Sequence, residues 1–268
     1  MSLSRTALRL AVVEALSPYA QNIAAVPVWP TFAGAHVFDS QATPVALAAI
    51  AQGQPVIVVA VDGAKTESIG GGNALDVTFD GDGREMATLA FEIIVPVAQR
   101  GDTDEAIYDI GPTDAAAKAF LEMIEDQILQ RLADARMNGP LRHVLVSISE
   151  IESQPYSDAD AGVALSATRL ELSCRIRQRE AWPAAGASGF DRLPQPLRDV
   201  AKALPAQSYG GVIATGLAEI LGNPATFPDL NEIRLAANLT RAAGDTAPPA
   251  TNAAVTPPVG DVGGTVAP

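Results

Sequence analysis

The sequence predicts an α/β (α+β) fold in which a mixed or antiparallel sheet is packed by two helices. Three observations predict it. The β-branched run Val56-Ile57-Val58-Val59-Ala60-Val61 is short and bounded by Pro55 and Asp62-Gly63, as a buried strand is. Further on, Leu89, Phe91, Ile93, Val95 and Val97 alternate with Thr88, Ala90, Glu92, Ile94 and Pro96, the period of a strand with one buried face. Two stretches with helical spacing flank these strands: Leu8, Ala11, Val12, Ala15 and Tyr19 before them, and Phe120, Ile124, Ile128 and Leu132 after.

The first helix is predicted over 4–16, with Ser4 as its N-cap and Ser17-Pro18 ending it. A Pro-rich stretch to Phe32 reads as irregular, and His36-Val37-Phe38-Asp39 as a short segment before the first long strand. The strands over 56–61 and 89–95 belong at the centre of the sheet. Between them, 62–84 holds Gly70-Gly71-Gly72 and Asp80-Gly81-Asp82-Gly83, which marks an excursion or hairpin arm. The second strand runs over 86–98, and Pro96, with no N–H to give a ladder, puts its far end at an edge or beyond the sheet. A long helix over 114–137 follows, capped by Thr113 and stopped by Asn138-Gly139-Pro140, with Arg131 and Arg136 near its C-terminus. Two strands, over 142–152 and 163–177, close the domain across a polar connection at 153–162. Residues 1–180 therefore read as one domain.

From Ala181 the composition changes. Trp182-Pro183 and the Ala/Gly/Ser run to Gly189 read as a linker. Modest helices are predicted near 196–203, 211–221 and 229–242, so 181–243 is a helical extension. Residues 244–268 are Ala, Pro, Thr, Val and Gly with only Asp245 and Asp261 charged. Such a tail has too little apolar surface to fold alone. It is expected to be disordered in a free subunit and extended across a neighbour in an assembly, with Pro248-Pro249 and Pro257-Pro258 favouring polyproline geometry.

Length and charge narrow the function classes. With 268 residues the prior is roughly one or two domains. Hydrophobic residues make up 48% and aromatics 5%, so Val, Ile, Leu and Ala must fill the core. A formal net charge of −13 repels nucleic acid unless the basic residues cluster. One cysteine, Cys174, excludes an intramolecular disulfide framework and suits a reducing compartment. Arg9 and Glu14 interrupt any signal-peptide core, and prolines break the two longer uncharged stretches, so neither export nor a membrane span is expected.

Catalytic signatures are missing. The stretch Thr78-Phe79-Asp80-Gly81-Asp82-Gly83 half-matches a calcium loop, but Thr78 stands where an acidic first ligand belongs and Leu89 where a bidentate Glu belongs. An Asp-Gly turn is the simpler reading. The triple glycine lacks the Lys-Ser/Thr of a phosphate loop, and no Gly-x-Ser-x-Gly elbow occurs. His36 and His143 have no metal-binding spacing, and His143 reads as a strand-opening residue. Cys174 alternates with core leucines and reads as packing. The Asn238-Leu239-Thr240 sequon carries no weight without secretion. No catalytic residue, cofactor or metal is expected.

What is left is a surface. In the last strand Leu170, Leu172, Cys174 and Ile176 point one way, and Arg169, Glu171, Ser173, Arg175 and Arg177 the other. The charged side is either a solvated sheet face or a partner-facing strip. With Asp62, Asp76, Asp80, Asp82 and Arg84 of the hairpin arm, residues Arg169, Glu171, Arg175 and Arg177 form the candidate interface set.

The succession of 8–16, Val37-Phe38-Asp39-Ser40, 55–63, 88–97, 116–132 and 170–177 resembles the tail terminator (tail completion) proteins of long-tailed bacteriophages. In that family an N-terminal helix precedes a short strand, a Pro-led hydrophobic strand ending in an acidic turn, a long strand, a helix and two final strands. The resemblance spans residues 3–180 and leaves 181–268 without a counterpart. It implies a homo-oligomeric ring, usually a hexamer, that caps the tail tube and joins it to the head–tail connector. Its partners would be the tail tube protein and connector proteins, in a virion assembled in the host cytoplasm. Six copies would carry 6 × −13, or −78, and so acidic a wall would let genomic DNA pass without specific binding. Two alternatives stay open: a phage head-closure protein, and a soluble α/β ligand-binding or hydrolytic domain.

Overall fold

Apolar positions at helical spacing near the N-terminus fold as helix α1, Leu3–Leu16. The structure, a computed structural model, describes residues 3–40, 54–68, 83–96, 99–100, 106–107, 115–156, 165–177, 183 and 186–222. After α1, one turn of helix, α2 (Tyr19–Asn22), interrupts the stretch predicted to be irregular. Strands β1 (Val37–Asp39), β2 (Val56–Ser68) and β3 (Gly83–Pro96) follow, and then β4 (Gln99–Arg100) and β5 (Ala106–Ile107) pair as a separate small ribbon. Helix α3 (Ala115–Asn138) leads through a 3-10 turn, Pro140–His143, into β6 (Leu145–Tyr156) and β7 (Leu165–Ile176). A second 3-10 turn, Gly189–Arg192, precedes helices α4 (Leu197–Ala203) and α5 (Tyr209–Gly222). The predicted cap Thr113, the helix near 229–242 and the tail after Gly244 lie outside the described residues.

The main sheet has the order β1-β2-β3-β7-β6. Only the β1–β2 pair is parallel; the other three are antiparallel, so the sheet is mixed. The two strands expected at its centre are both interior, with Val59 opposite Phe91 and Phe91 opposite Leu170. Strand β2 does not stop at Asp62-Gly63. The register shifts between Val61 and Gly63, and pairing resumes down to Ser68 opposite Gly83. An Asp-Gly pair suits a β-bulge as well as a turn, so the expected end of the strand is a kink inside a longer hairpin arm. Likewise, β6 begins at Leu145 rather than 142, because Pro140 suits the start of a helical turn. His143 therefore closes a 3-10 turn and does not open the strand.

Alternation decides which face each strand buries. Ile57, Val59, Leu89, Phe91, Ile93, Leu170, Leu172, Cys174 and Ile176 lie under α1 and α3 in one core. On α3 the buried stripe is Ala117, Leu121, Ile124, Ile128 and Leu132. Phe120, placed on that stripe by spacing alone, sits beside it and stacks on Phe32 with centroids 5.3 Å apart. Full burial of each Ile or Leu contributes about 1.5–3 kcal/mol. Gly139 ends α3 with its N–H on the Ala135 carbonyl at 2.8 Å, where a Cβ would meet that oxygen at 3.0 Å.

Helix α1 is more buried than an amphipathic surface helix. Beyond Leu8, Ala11, Val12 and Ala15 it also buries Ala7, Leu10 and Val13. Helices α4 and α5 cover its second side, and Leu197, Val200, Ala201, Leu204, Ala214 and Ala218 join the same core. Its start is one residue earlier than predicted, so Ser4 lies buried inside the first turn.

Candidate interface on the second face of the sheet

The face of the sheet turned away from α1 and α3 divides into two halves. One half is a small apolar cluster of Phe38, Val56, Val58, Ile94 and Ala167. Ile94, which alternation placed among polar positions, is buried there. The other half is charged and centres on Arg169. Strand pairing sets Arg169 opposite Glu92 of β3, and Glu171 is the next residue of β7 on the same face. The bulge in β2 swings Asp62 to the same spot.

The Arg169 guanidinium donates from Nη1 to Glu92 Oε1 at 3.1 Å, from Nε to Glu171 Oε1 at 2.6 Å, and from Nη2 to Asp62 Oδ2. All four side chains are 32–39% exposed, so water screens the pairs and each contributes about 0–1 kcal/mol. Three carboxylates on one guanidinium leave the group formally negative. Across the next ladder Glu152 of β6 stands opposite Glu171, and Gln154, opposite Arg169, donates to Glu152 Oε1 at 2.6 Å.

Three of the predicted interface residues, Asp62, Arg169 and Glu171, therefore meet in one cluster. Arg175 is on the same face of β7, opposite Met86 and Ser147. Arg177 is one residue past β7, exposed, with its N–H on the Val144 carbonyl at 2.8 Å. It lies eight positions beyond Arg169, about 26 Å at the usual strand rise, so it does not join the cluster. Arg84 lies in β3 opposite Glu67, and Asp76, Asp80 and Asp82 lie outside the described residues. Glu92 and Glu152 were not singled out from sequence. Alternation placed Glu92 on the right face, but only the strand register sets it against Arg169.

A second polar group ties the elements together. Asp39, its side chain 3% exposed at the end of β1, is ion-paired with Arg9 of α1. It also accepts from the Tyr209 hydroxyl of α5 at 2.8 Å and from the Ser40 hydroxyl at 2.6 Å. Burial first, and then the Asp39 charge, push the Tyr209 phenol well above its usual range. Nearby, burial raises the Glu14 carboxyl to about 6, against hydrogen bonds from the Tyr19 N–H and from Ser208.

The chemically interesting side chains have packing environments. Cys174 is fully buried, which pushes its thiol up to about 12. Burial lowers the pKa of His36, and burial together with Arg142 lowers that of His143, whose Nε2 accepts from Arg142 at 3.1 Å. Among the described residues, no group of three or more His, Cys, Asp or Glu could hold a metal ion, and no helix is long and apolar enough to cross a membrane. Comparison with known proteins finds no family model that matches the chain and no curated protein that matches it.

Proposed function

We propose that the chain is a structural subunit of a ring in a phage virion, which caps the tail tube and joins it to the head–tail connector. The observation that carries this reading is a run of bare apolar side chains. Ile23, Val26 and Val28 are 66%, 81% and 76% exposed, and Phe32 and Met123 are about half exposed. No charged residue falls between Ala15 and Ala35 of a chain with net charge −13. Large exposed apolar patches mark association sites. Here they offer an exposed stretch where copies of so acidic a chain can meet without charge repulsion. The order of elements shared with tail terminators supports the same reading.

Solution mass tests it. The purified chain should sediment as a closed oligomer and appear as rings by negative-stain microscopy. Val26→Asp, at a position outside the core, should return it to monomers with an unchanged circular dichroism spectrum. A wild-type chain that stays monomeric at every concentration would sink the ring reading.

A further inference from the structure

We infer that the free edge of β6 takes up an extended, cationic segment of another protein, which adds to the sheet as a sixth strand. The inference is independent of the ring. Strand β6 is twelve residues long and pairs only with β7 among the described strands, so one side of its backbone has N–H and C=O groups that no described strand takes up. Residues 149–155 are all exposed. A long exposed edge invites a further strand unless it is blunted. The two register shifts that would blunt it fall between Leu145 and Ser147 and between Ile148 and Glu150. From Glu150 onward the register is regular, and Pro155 interrupts only its end.

Side chains along this edge define the occupant. The register puts Glu150, Glu152 and Gln154 on the second face, opposite Ser173, Glu171 and Arg169, and Ile151 on the helix-covered face, opposite Leu172. Ile151 is nevertheless 54% exposed, at an edge where no described strand lies beside β6. Strand β6 has no Lys or Arg. On the facing strand Arg169 already holds Asp62, Glu92 and Glu171, and Arg175 is the one guanidinium of β7 that lies diagonally across from Glu150. A second copy pairing antiparallel about Ile151 would set Glu150 against Glu152, and like charges directly opposite are destabilising. A strand with Lys or Arg alternating with aliphatic residues has the opposite match. Its cations face Glu150 and Glu152, and its aliphatic side chains cover Ile151. Backbone pairing then supplies affinity and the alternate side chains supply specificity.

The test uses the full chain and two synthetic capped peptides, one alternating Lys with Ile and one alternating Glu with Ile. Fluorescence anisotropy should show binding of the Lys-Ile peptide alone, and amide exchange within 150–154 should slow when it binds. Glu150→Lys with Glu152→Lys should weaken that peptide at least tenfold and admit the Glu-Ile peptide. Ile151→Lys should weaken the Lys-Ile peptide without lowering the melting temperature. The proposal is overturned if the Lys-Ile peptide does not bind, or if the wild type binds both peptides equally. It is also overturned if 150–154 are already protected without peptide in a concentration-dependent dimer, since a second copy would then be the occupant.

Discussion

Glu14 sits where α1 meets the start of α5, with its carboxylate accepting from the Tyr19 N–H at 3.0 Å. Burial raises its pKa from 4.5 to about 6, which makes it a built-in liability at neutral pH. Between those two values the folded chain keeps a proton that the unfolded chain has lost, so stability falls as pH rises through that window and levels off above it. Glu14→Gln keeps an acceptor and removes the titration. The variant should match the wild type below pH 4.5, gain on it up to pH 6, and stay more stable by on the order of 1 kcal/mol at neutral pH. That is less than the full linkage value because the carboxylate keeps some contact with water. Urea unfolding of both proteins across this range checks it, and a gap that does not change with pH would show that burial is not the cause. At this scale little was legible in the sequence. The Tyr209 hydroxyl and Asp39 are 170 positions apart, and no local pattern announces such a pair. Asp62, Arg169 and Glu171 were legible as charged positions in or beside strands, whereas Glu92 needed the pairing register.

Helix α5 has glycines with opposite roles, which the fold distinguishes and the sequence does not. A Cβ on Gly211 would lie 2.2 Å from the Pro205 carbonyl oxygen, while one on Gly216 would meet nothing within 4 Å. Gly211→Ala should therefore destabilise the chain by about 1–3 kcal/mol, because backbone must move. Gly216→Ala should stabilise it by up to about 1 kcal/mol through helix propensity alone. Thermal melts of the two variants should shift in opposite directions. Elements with a strong period were the most legible: β3, β7 and α3 were placed by alternation and by the Ile124-Ile128-Leu132 stripe. Boundaries set by tertiary contact were not. The bulge at Asp62-Gly63 looks like a turn until β3 is seen to continue beside it, and α1 looks amphipathic because nothing local reveals that α4 and α5 pack on its second side.

At the scale of the whole molecule, the proposed ring sets an apolar stretch against a net charge of −13. Salt shortens the reach of that repulsion, to roughly 3 Å at 1 M, and leaves hydrophobic burial in place. Oligomer formation through Ile23, Val26 and Val28 should thus strengthen with ionic strength, and sedimentation at low and high salt reads it directly. Oligomers that dissolve in high salt would point to ion pairs instead. The all-round burial of α1 has a further consequence, for the chain as it is made. Tyr19, just past α1, bonds Gln207 across 188 positions, and at usual synthesis rates those residues take roughly 10–40 s to emerge. Through that interval α1 is complete but lacks α4 and α5, so the side of α1 that they cover stays bare at the ribosome. Helix α1 is thus enclosed long after it is made, and a chain truncated before α4 should expose the side of α1 that α4 and α5 cover.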